Sequence, residues 1–252
     1  MLGARGRARA LRDTDADWRE LGRSQPYWGV LSNEAFLREN LTAETIEAFY
    51  ACGRPYIDEI VGRLDMATGS KPSGRGLDFG CGVGRLTEAM AEHVDEVVGL
   101  DISAGMLEVA RRRGGKATYL QALPEAMTFD WINSFIVFQH IPPDRGEAIL
   151  ADLLGRLNAD GAVSLQFAVW RDEARQWPKK TGWRSAFGSL RRRRWIASLP
   201  VGNILMYDYD LSRLLRLLNE GGVEEMSLVS THHDGHHGVI ILGRKRPSTH
   251  KG

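Results

Sequence analysis

Apolar runs and helical patterns alternate along the central part of the chain, between residues 76 and 169. The apolar runs are short and continuous, which is typical of strands that are buried on both faces of a sheet. The segments between them place apolar residues at helical spacing. Strands are predicted at 76–79, 97–101, 117–121, 131–136 and 162–169, and helices at 84–92, 103–113 and 144–157. Strands and helices that alternate in this way form a parallel sheet.

The C-terminal part of the chain has a different pattern. Residues 210–220 carry leucines along one helical stripe and end at two glycines, which predicts a helix. Two further apolar runs, at 223–231 and 238–243, are joined by the segment H-H-D-G-H-H. Neighbouring strands with so short a connection must be antiparallel. The sheet is therefore predicted to be parallel except for a terminal hairpin, with the histidine-rich turn on the edge where the parallel strands end.

The N-terminal region completes the predicted architecture. Residues 14–64 carry helical patterns, and the turn-rich segment 69–76 separates them from the first strand. The predicted fold class is α/β, with a doubly wound, seven-stranded, mostly parallel sheet, a C-terminal antiparallel hairpin and an N-terminal helical lid. The chain is expected to divide into a tail and helical lid at 1–70 and a main domain at 71–252, which carries an insertion at about 170–206.

Composition narrows the class of protein only a little. The chain has 252 residues, 43% of them hydrophobic, and a net charge of +1, as in ordinary globular proteins. Cys52 and Cys81 form neither a disulfide framework nor a metal-ligand spacing, which fits a reducing compartment. The basic N-terminus lacks the apolar segment of a secretory signal, and no apolar run approaches the roughly 18 residues of a membrane span. A cytoplasmic protein is expected.

The stretch L-D-F-G-C-G-V-G-R-L-T at 77–87 places three glycines between a strand and a helix. Such a loop lets a phosphate or a nucleoside approach the backbone closely. The dinucleotide fingerprint G-x-G-x-x-G is not met, because Arg85 stands where its third glycine would be, and the lysine of a P-loop is missing. Asp101 ends the next strand, 21 residues after Gly80, where a carboxylate can accept hydrogen bonds from both ribose hydroxyls. The ligand is therefore expected to contain a ribose without a pyrophosphate.

Three stretches in order carry a resemblance to a known family. D-F-G-C-G-V-G-R-L-T, V-V-G-L-D-I-S-A-G-M-L-E-V-A-R and F-D-W-I-N-S-F-I-V-F-Q-H-I-P-P resemble the class I S-adenosylmethionine-dependent methyltransferases, over about residues 75–170. The terminal hairpin also fits that fold. The resemblance implies that the chain is an enzyme, that its cofactor is S-adenosylmethionine and that its main domain is a methyltransferase domain.

The resemblance also implies roles for individual residues. Asp78 would face the ammonium group of the cofactor, Asp101 the ribose, and Ile102 and Met106 the adenine. Arg85 either meets the cofactor carboxylate or is a solvated surface arginine. The full set of implied cofactor contacts is Asp78, Gly80, Cys81, Gly82, Arg85, Asp101, Ile102, Met106, Ala122, Leu123, Ser134 and Phe135.

Histidines are the candidates for proton removal from the methyl acceptor, since imidazole titrates near neutral pH. His140, after the fourth strand, is either a general base or a packing residue. His236 and His237, in the histidine-rich turn, are predicted to lie at the rim of the active site. That turn has three interpretations: a polar turn, which is favoured, a base or acceptor-binding group, or a metal site. No metal is included in the prediction, because no ligand spacing is diagnostic.

The insertion at 170–206 contains nine basic and two acidic residues, with tryptophans between them. Together with residues 14–64 it is predicted to form a lid over the acceptor, with Trp18, Tyr27 and Trp28 among its walls. The run Arg191–Arg194 indicates an acidic acceptor, a solvated helix face or nucleic acid. The predicted function is transfer of a methyl group to an oxygen or nitrogen of a small molecule, such as a sugar or secondary metabolite. The alternatives are an RNA methyltransferase, which the absence of an appended RNA module disfavours, and a non-catalytic S-adenosylmethionine-binding protein.

Overall fold

Seven strands form a single sheet at the centre of the protein, in the order β3-β2-β1-β4-β5-β7-β6. The computed structural model describes residues 12–172 and 199–246. The strands are β1 (Arg75–Phe79), β2 (Glu96–Leu100), β3 (Thr118–Leu120), β4 (Phe129–Ser134), β5 (Leu157–Arg171), β6 (Val223–His233) and β7 (His236–Lys245).

Strand directions confirm the predicted fold class. The pairs β1–β2, β1–β4, β2–β3 and β4–β5 are parallel, whereas β7 is antiparallel to both β5 and β6. Because β5 and β6 share one neighbour that runs the opposite way, they run in the same direction as each other. The C-terminal ends of β1, β2, β4, β5 and β6 therefore meet at one edge of the sheet. The order of connections reverses between β1 and β4, and a ligand crevice is expected above such a point.

Eight α-helices surround the sheet in the described part of the chain. They are α1 (Thr14–Ser24), α2 (Pro26–Val30), α3 (Ala43–Ala51), α4 (Gly53–Thr68), α5 (Thr87–Met90), α6 (Ala104–Arg113), α7 (Pro143–Gly155) and α8 (Leu211–Glu220). Short 3-10 turns occupy Glu34–Phe36, Arg38–Asn40 and Phe138–His140. None of the described helices is both long enough and apolar enough to span a membrane.

Adjacent residues of the central strands bury opposite faces, which is why the strand sequences read as continuous apolar runs. Ile132 packs in a core with α7 and α8, and its neighbour Trp131 packs in a second core with α4. Helices α1–α3 pack elsewhere, in a third cluster that joins Phe49 to Val83 of the glycine loop and Met106 of α6. The N-terminal helices thus lie over the edge of the sheet where the glycine loop begins.

Several element boundaries differ from the sequence prediction, and three of these differences have local reasons. Strand β4 ends at Ser134 instead of residue 136, because Ile136 adopts a left-handed backbone with φ 58. The helix after β1 begins only at Thr87, since Gly84 has φ 84 and keeps residues 82–86 in turns. The hairpin strands are longer than predicted, because the turn is reduced to Asp234 and Gly235, which both have positive φ. Asp-Gly is the residue pair that tight hairpin turns of this kind favour.

Candidate active site

A cavity of about 240 Å³ opens at the C-terminal edge of the sheet, above the point where β1, β2 and β4 end. The loops that follow these three strands form its floor and walls, and α1 covers it through Thr14, Asp15 and Trp18. We call it the first cavity. Its position is the one that the strand order predicts for a ligand crevice.

The glycine loop leaves no room for side chains on its own backbone. A Cβ atom at Gly80 would lie 2.3 Å from Cγ2 of Val137, and one at Gly82 would lie 2.6 Å from Cγ2 of Val30. Both glycines also have positive φ, 76 and 54, which other residues adopt at a cost in free energy. The amides of Gly80 and Cys81 donate to the carbonyl of Leu100, so the loop is tied to the end of β2.

Asp101 presents a carboxylate to the first cavity from the end of β2. Its Oδ2 accepts a hydrogen bond of 2.9 Å from the amide of Gly82, and its Oδ1 accepts one of 2.8 Å from the amide of Ser103. A carboxylate has about four acceptor positions, so each oxygen can accept one more hydrogen bond from a ligand. Burial raises the pKa of Asp101 from 3.8 to about 6.

Asp78 is fixed beneath the glycine loop by a network of buried side chains. Its carboxylate accepts from Oγ1 of Thr87 at 2.7 Å and from Nδ2 of Asn133 at 3.0 Å. Asn133 in turn accepts from Ser164, and Ser164 accepts from the indole of Trp131. Burial raises the pKa of Asp78, and the hydrogen bonds oppose that effect. The network joins β1, β4, β5 and α5, and it therefore holds the carboxylate in one position.

Arg85 is a buried cation in the wall of the first cavity, with 7% of its surface exposed. Its Nη1 contacts the sulfur of Cys52 at 3.7 Å. Its Nε is buried and donates to no group within residues 12–172 and 199–246. A buried charged group with an unused donor is unfavourable unless a ligand completes its hydrogen bonds. The structure therefore excludes the solvated surface arginine and favours an anionic ligand group beside Arg85.

His140 also lines the first cavity and is nine-tenths buried. Its Nδ1 lies 2.9 Å from the carbonyl oxygen of Leu205, and because a carbonyl only accepts, Nδ1 carries the hydrogen. Its Nε2 lies 3.3 Å from Nε2 of the Gln139 side chain. Its ring packs against the ring of Trp18, with centroids 4.9 Å apart. Burial lowers the pKa of His140 from 6.5 to about 4, so the ring is neutral at neutral pH.

Because His140 is buried in its neutral form, we expect the protein to become less stable in acid. The unfolded chain protonates His140 near pH 6.5, whereas the folded protein does so only near a pKa of about 4. The unfolded state therefore binds more protons in this window, and the free energy of unfolding falls by about 3 kcal/mol as the pH drops through it. Urea unfolding at several pH values should show this fall, and His140→Gln should reduce it. A variant with the same pH dependence as the wild-type protein would contradict the burial of a neutral imidazole.

Helix α1 is held over the first cavity by two sets of polar contacts. Arg145 of α7 donates to both carboxylate oxygens of Asp15, at 2.6 and 2.9 Å. Asp17 accepts from Nε of Arg12 at 2.6 Å and from the amide of Gly202 at 2.9 Å. Sequence reasoning identified Trp18 as a wall of the site but missed Asp15 and Arg145. No local pattern could have found that pair, because its members are 130 positions apart.

The structure brings most of the predicted cofactor residues together. Those that line the first cavity are Asp78, Gly80, Cys81, Gly82, Arg85, Asp101, Ile102, Met106 and Phe135. The other three lie outside its lining. The hydroxyl of Ser134 donates to the carbonyl of Phe79 in the interior, Ala122 is exposed, and Leu123 lines a neighbouring cavity. Gln121 takes the place predicted for Ala122 in the cavity wall, and its amide donates to the carbonyl of Ile102 at 3.2 Å.

A second cavity of about 350 Å³ adjoins the first, and Phe135 and Ile136 line both of them. His236 and His237 lie in this second cavity, apart from His140. Ile136, which sequence reasoning missed, is a β-branched residue with φ 58. Its amide donates to Oε1 of Gln166 at 2.9 Å. Strained backbone of this kind persists where the surrounding structure holds it, and it concentrates at functional sites.

Part of the predicted lid lies outside the described residues. Trp177, Trp183, Phe187, Trp195 and the run Arg191–Arg194 all belong to residues 173–198. The segment that follows is described. Leu199 and Pro200 accept from the guanidinium of Arg12, and the carbonyl of Leu205 accepts from His140. The end of the insertion therefore contacts both α1 and the wall of the first cavity.

Known proteins match the part of the chain that contains the glycine loop and Asp101. A family model described as Methyltransferase domain matches residues 77–161. The ubiquinone biosynthesis O-methyltransferase of Vibrio cholerae serotype O1 is 40% identical over 78 residues, which are 27% of this chain and 32% of that protein. The similarity thus spans about a third of the curated relative, and the family model ends before Gln166 and the histidines of the hairpin.

Solved structures share the fold over most of the chain. Magnesium protoporphyrin IX methyltransferase of Synechocystis PCC 6803, solved with bound SAH, aligns with a TM-score of 0.60 and 19% identity, covering 92% of this chain and 100% of that one. An amino pentose methyltransferase of Micromonospora echinaspora, solved with bound SAM, aligns with a TM-score of 0.55 and 18% identity, covering 82% and 100%. Residues 77–161 thus match a methyltransferase domain, and the chain shares the fold of solved S-adenosylmethionine-dependent methyltransferases.

Proposed function

We propose that this protein transfers a methyl group from S-adenosylmethionine to an oxygen or nitrogen of a small molecule. The observation that carries the proposal is Arg85, a buried cation with an unused donor, in the same cavity as the glycine loop and Asp101. A ligand with a ribose at one end and a carboxylate at the other matches both groups. S-adenosylmethionine has that composition, and its acidic and sugar ends are the parts that these side chains would recognise.

Different residues of the first cavity bind different parts of the cofactor in this proposal. Asp101 accepts hydrogen bonds from the two ribose hydroxyls through the free positions of its carboxylate. Arg85 binds the carboxylate of the amino-acid part, and Asp78 faces the ammonium group of that part. Ile102 and Met106 pack against the adenine. When bound, the cofactor supplies a methyl group on a sulfonium, which is already activated for displacement.

The second cavity is proposed to hold the acceptor. It shares the wall formed by Phe135 and Ile136 with the first cavity, so a molecule bound there lies next to the cofactor. Displacement at a methyl group needs the acceptor atom about 3–3.5 Å away, in line and shielded from water. Gln166 serves this geometry by holding the amide of Ile136, and Trp18 covers the first cavity from above.

The lining of the second cavity favours a small polar acceptor. Gln139, Gln166, Thr231 and His236 give it hydrogen-bonding groups, and Phe135 gives it an apolar wall. Its volume of about 350 Å³ lies within the range of about 300–1,000 Å³ that is usual for small-molecule sites. A sugar or a hydroxylated or amino metabolite fits this combination. The match to an O-methyltransferase supports the same class of chemistry.

Proton removal from the acceptor is assigned to the second cavity. His140 is a poor base, since burial lowers its pKa to about 4 and both of its ring nitrogens already contact other groups. We propose that it positions Trp18 and the segment at Leu205 instead. His236 lines the second cavity, and it is the proposed general base wherever the acceptor carries a proton that must be removed.

Filling the second cavity should separate methyl transfer from cofactor binding. Ser230 is exposed on the edge strand β6 and lines the second cavity, so Ser230→Trp introduces bulk there without disturbing the core. The variant should bind S-adenosylhomocysteine as the wild-type protein does. It should lose at least about tenfold in kcat/KM for the acceptor, the loss expected when a substrate's contacts are blocked.

The acceptor is first identified by incubating the wild-type protein with S-adenosylmethionine that carries a deuterated methyl group. Panels of sugars, hydroxylated acids and amines, and a separate arm of total RNA, are then searched by mass spectrometry for the labelled methyl. Ser70→Trp, an exposed serine before β1, is the matched control and should retain activity. Label in RNA alone, or in no acceptor at all despite cofactor binding, would contradict the proposed function.

A further inference from the structure

Three side chains at the mouth of the second cavity converge on one point. Asp172, His232 and His237 each bring one potential ligand atom within 4.8 Å of the other two. His232 and His237 also line the second cavity. This is the one group of histidine, cysteine and acidic residues with such spacing in the part of the chain that the structure describes. We call it the Asp172–His232–His237 cluster.

The sheet itself places the three residues together. His232 of β6 lies directly opposite His237 of β7, and His237 lies opposite Trp170 of β5. Asp172 follows β5, and its amide donates to the carbonyl of Gly235 in the hairpin turn at 2.9 Å. Paired strands fix the separation of opposite residues. The cluster is therefore held by backbone hydrogen bonds on both sides and does not depend on the flexibility of long side chains.

The ring of His237 has a fixed orientation. It stacks on the indole of Trp170, with ring centroids 3.5 Å apart and planes inclined by 3°. Its Nε2 faces Oδ1 of Asp172 at 2.8 Å, and the ring of His232 lies 4.6 Å from it at an angle of 60°. Stacking on Trp170 therefore fixes the plane of the His237 ring, with Nε2 directed at Asp172.

A comparison within the protein shows what is specific to the cluster. His93 and Asp58 form the same contact, Nε2 to Oδ1 at 2.8 Å, but within residues 12–172 and 199–246 that pair is not part of a three-residue cluster. An isolated histidine–aspartate pair is an ordinary surface interaction. The second imidazole changes the chemistry, because two imidazole nitrogens and one carboxylate oxygen are the donor set of many zinc sites and other transition-metal sites.

We propose that Asp172, His232 and His237 bind a divalent transition-metal ion, with Zn²⁺ as the representative, at the mouth of the second cavity. Three protein ligands leave at least one coordination position for water or for an oxygen or nitrogen of a bound molecule. The third interpretation of the histidine-rich turn is thereby preferred to the polar turn, with Asp172 as the ligand that the sequence did not indicate. The proposal rests on the cluster alone and does not depend on methyl transfer.

Calorimetric titration tests the proposal directly. The full chain, without a polyhistidine tag and freed of metal by a chelator, is titrated with ZnCl₂ in a buffer that does not bind zinc. The expected result is one equivalent of high-affinity binding. Each of three substitutions removes one of the three ligands: His232→Ala, His237→Asn and Asp172→Asn. The affinity for Zn²⁺ should therefore fall by about tenfold to 100-fold in each variant. His93→Ala removes the comparable surface histidine and should leave binding unchanged.

Two further readouts make the test decisive. With Co²⁺ in place of Zn²⁺, the wild-type protein should show visible absorption bands of a nitrogen- and oxygen-ligated ion, and His232→Ala should lose them. His232 is exposed, so its substitution should preserve the fold, which circular dichroism can check. Absence of stoichiometric binding, or undiminished binding in the double variant His232→Ala/His237→Asn, would overturn the proposal. Neither result would affect cofactor binding in the first cavity, which is measured separately with S-adenosylhomocysteine.

Discussion

Asp101→Asn is expected to weaken the binding of S-adenosylhomocysteine by about 100-fold or more. The carboxylate accepts one backbone amide on each oxygen and would accept one ribose hydroxyl on each as well. Asparagine has no charge and only one acceptor oxygen, so one hydrogen bond of about 1.5–3 kcal/mol is lost and the other is weakened to that of a neutral pair. Together these losses correspond to about two powers of ten in affinity. Calorimetry with the wild-type protein and the variant measures the difference.

The stability of this variant distinguishes loss of binding from loss of folding. Burial raises the pKa of Asp101 to about 6, which means that the folded state disfavours the charged carboxylate at neutral pH. Asparagine is neutral but can accept from only one of the two backbone amides that Asp101 binds, so thermal unfolding of the ligand-free variant should be measured beside its affinity. Equal affinity of the two proteins for S-adenosylhomocysteine would show that Asp101 does not hold the ribose.

The same carboxylate gives cofactor binding a predicted pH dependence, which serves as a second control. The charged form accepts the ribose hydroxyls best, so affinity in the wild-type protein should fall as the pH drops below about 6. Because asparagine does not titrate, Asp101→Asn should remove this dependence. A wild-type affinity that stays constant through this range would be inconsistent with a ribose bound to Asp101.

Arg85→Met should discriminate between two ligands that share the adenosine part. S-adenosylhomocysteine carries a carboxylate, whereas 5′-methylthioadenosine lacks the amino-acid group. Charge-assisted hydrogen bonds to a carboxylate are roughly twice as strong as neutral ones, so the variant should lose about 30-fold in affinity for S-adenosylhomocysteine. Its affinity for 5′-methylthioadenosine should be unchanged. Competition binding of the two ligands to the same protein preparation measures both values.

The unbound variant provides a further check on Arg85. Methionine fills a similar volume, but it removes the positive charge that lowers the pKa of the buried Asp78, so thermal unfolding of the ligand-free variant should be measured beside the two affinities. Arg54→Met, at an exposed position of α4, is the matched control and should affect neither ligand. An equal loss of affinity for both ligands would show that Arg85 supports the shape of the cavity and does not bind a carboxylate.

Most of the lining of the first cavity could be predicted from the sequence because its signals are local. The glycines and Arg85 lie within one strand–loop–helix segment, and Asp101 ends the next strand at a fixed distance along the chain. Parallel strands then bring these ends together, whatever the rest of the fold does. For the same reason the hairpin and its direction followed from the pattern of apolar residues and the short connection between them.

The second cavity could not be predicted in the same way, because its geometry depends on contacts between distant segments. Gln166 holds Ile136 across two neighbouring strands, and His237 meets Asp172 only because β7 lies between β5 and β6. The left-handed backbone of Ile136 contradicts the local preference of a β-branched residue. Contacts between distant segments impose this backbone conformation, so it could not be predicted from the local sequence.

A crystal structure of the protein with S-adenosylhomocysteine is the most direct test of the claim that the first cavity is the cofactor site. The account predicts density for the ligand above the ends of β1, β2 and β4, with both ribose hydroxyls on Asp101, the carboxylate on Arg85 and the sulfur side facing the wall of Phe135 and Ile136. At saturating ligand, an empty first cavity, or a ligand bound with its carboxylate away from Arg85, would contradict it.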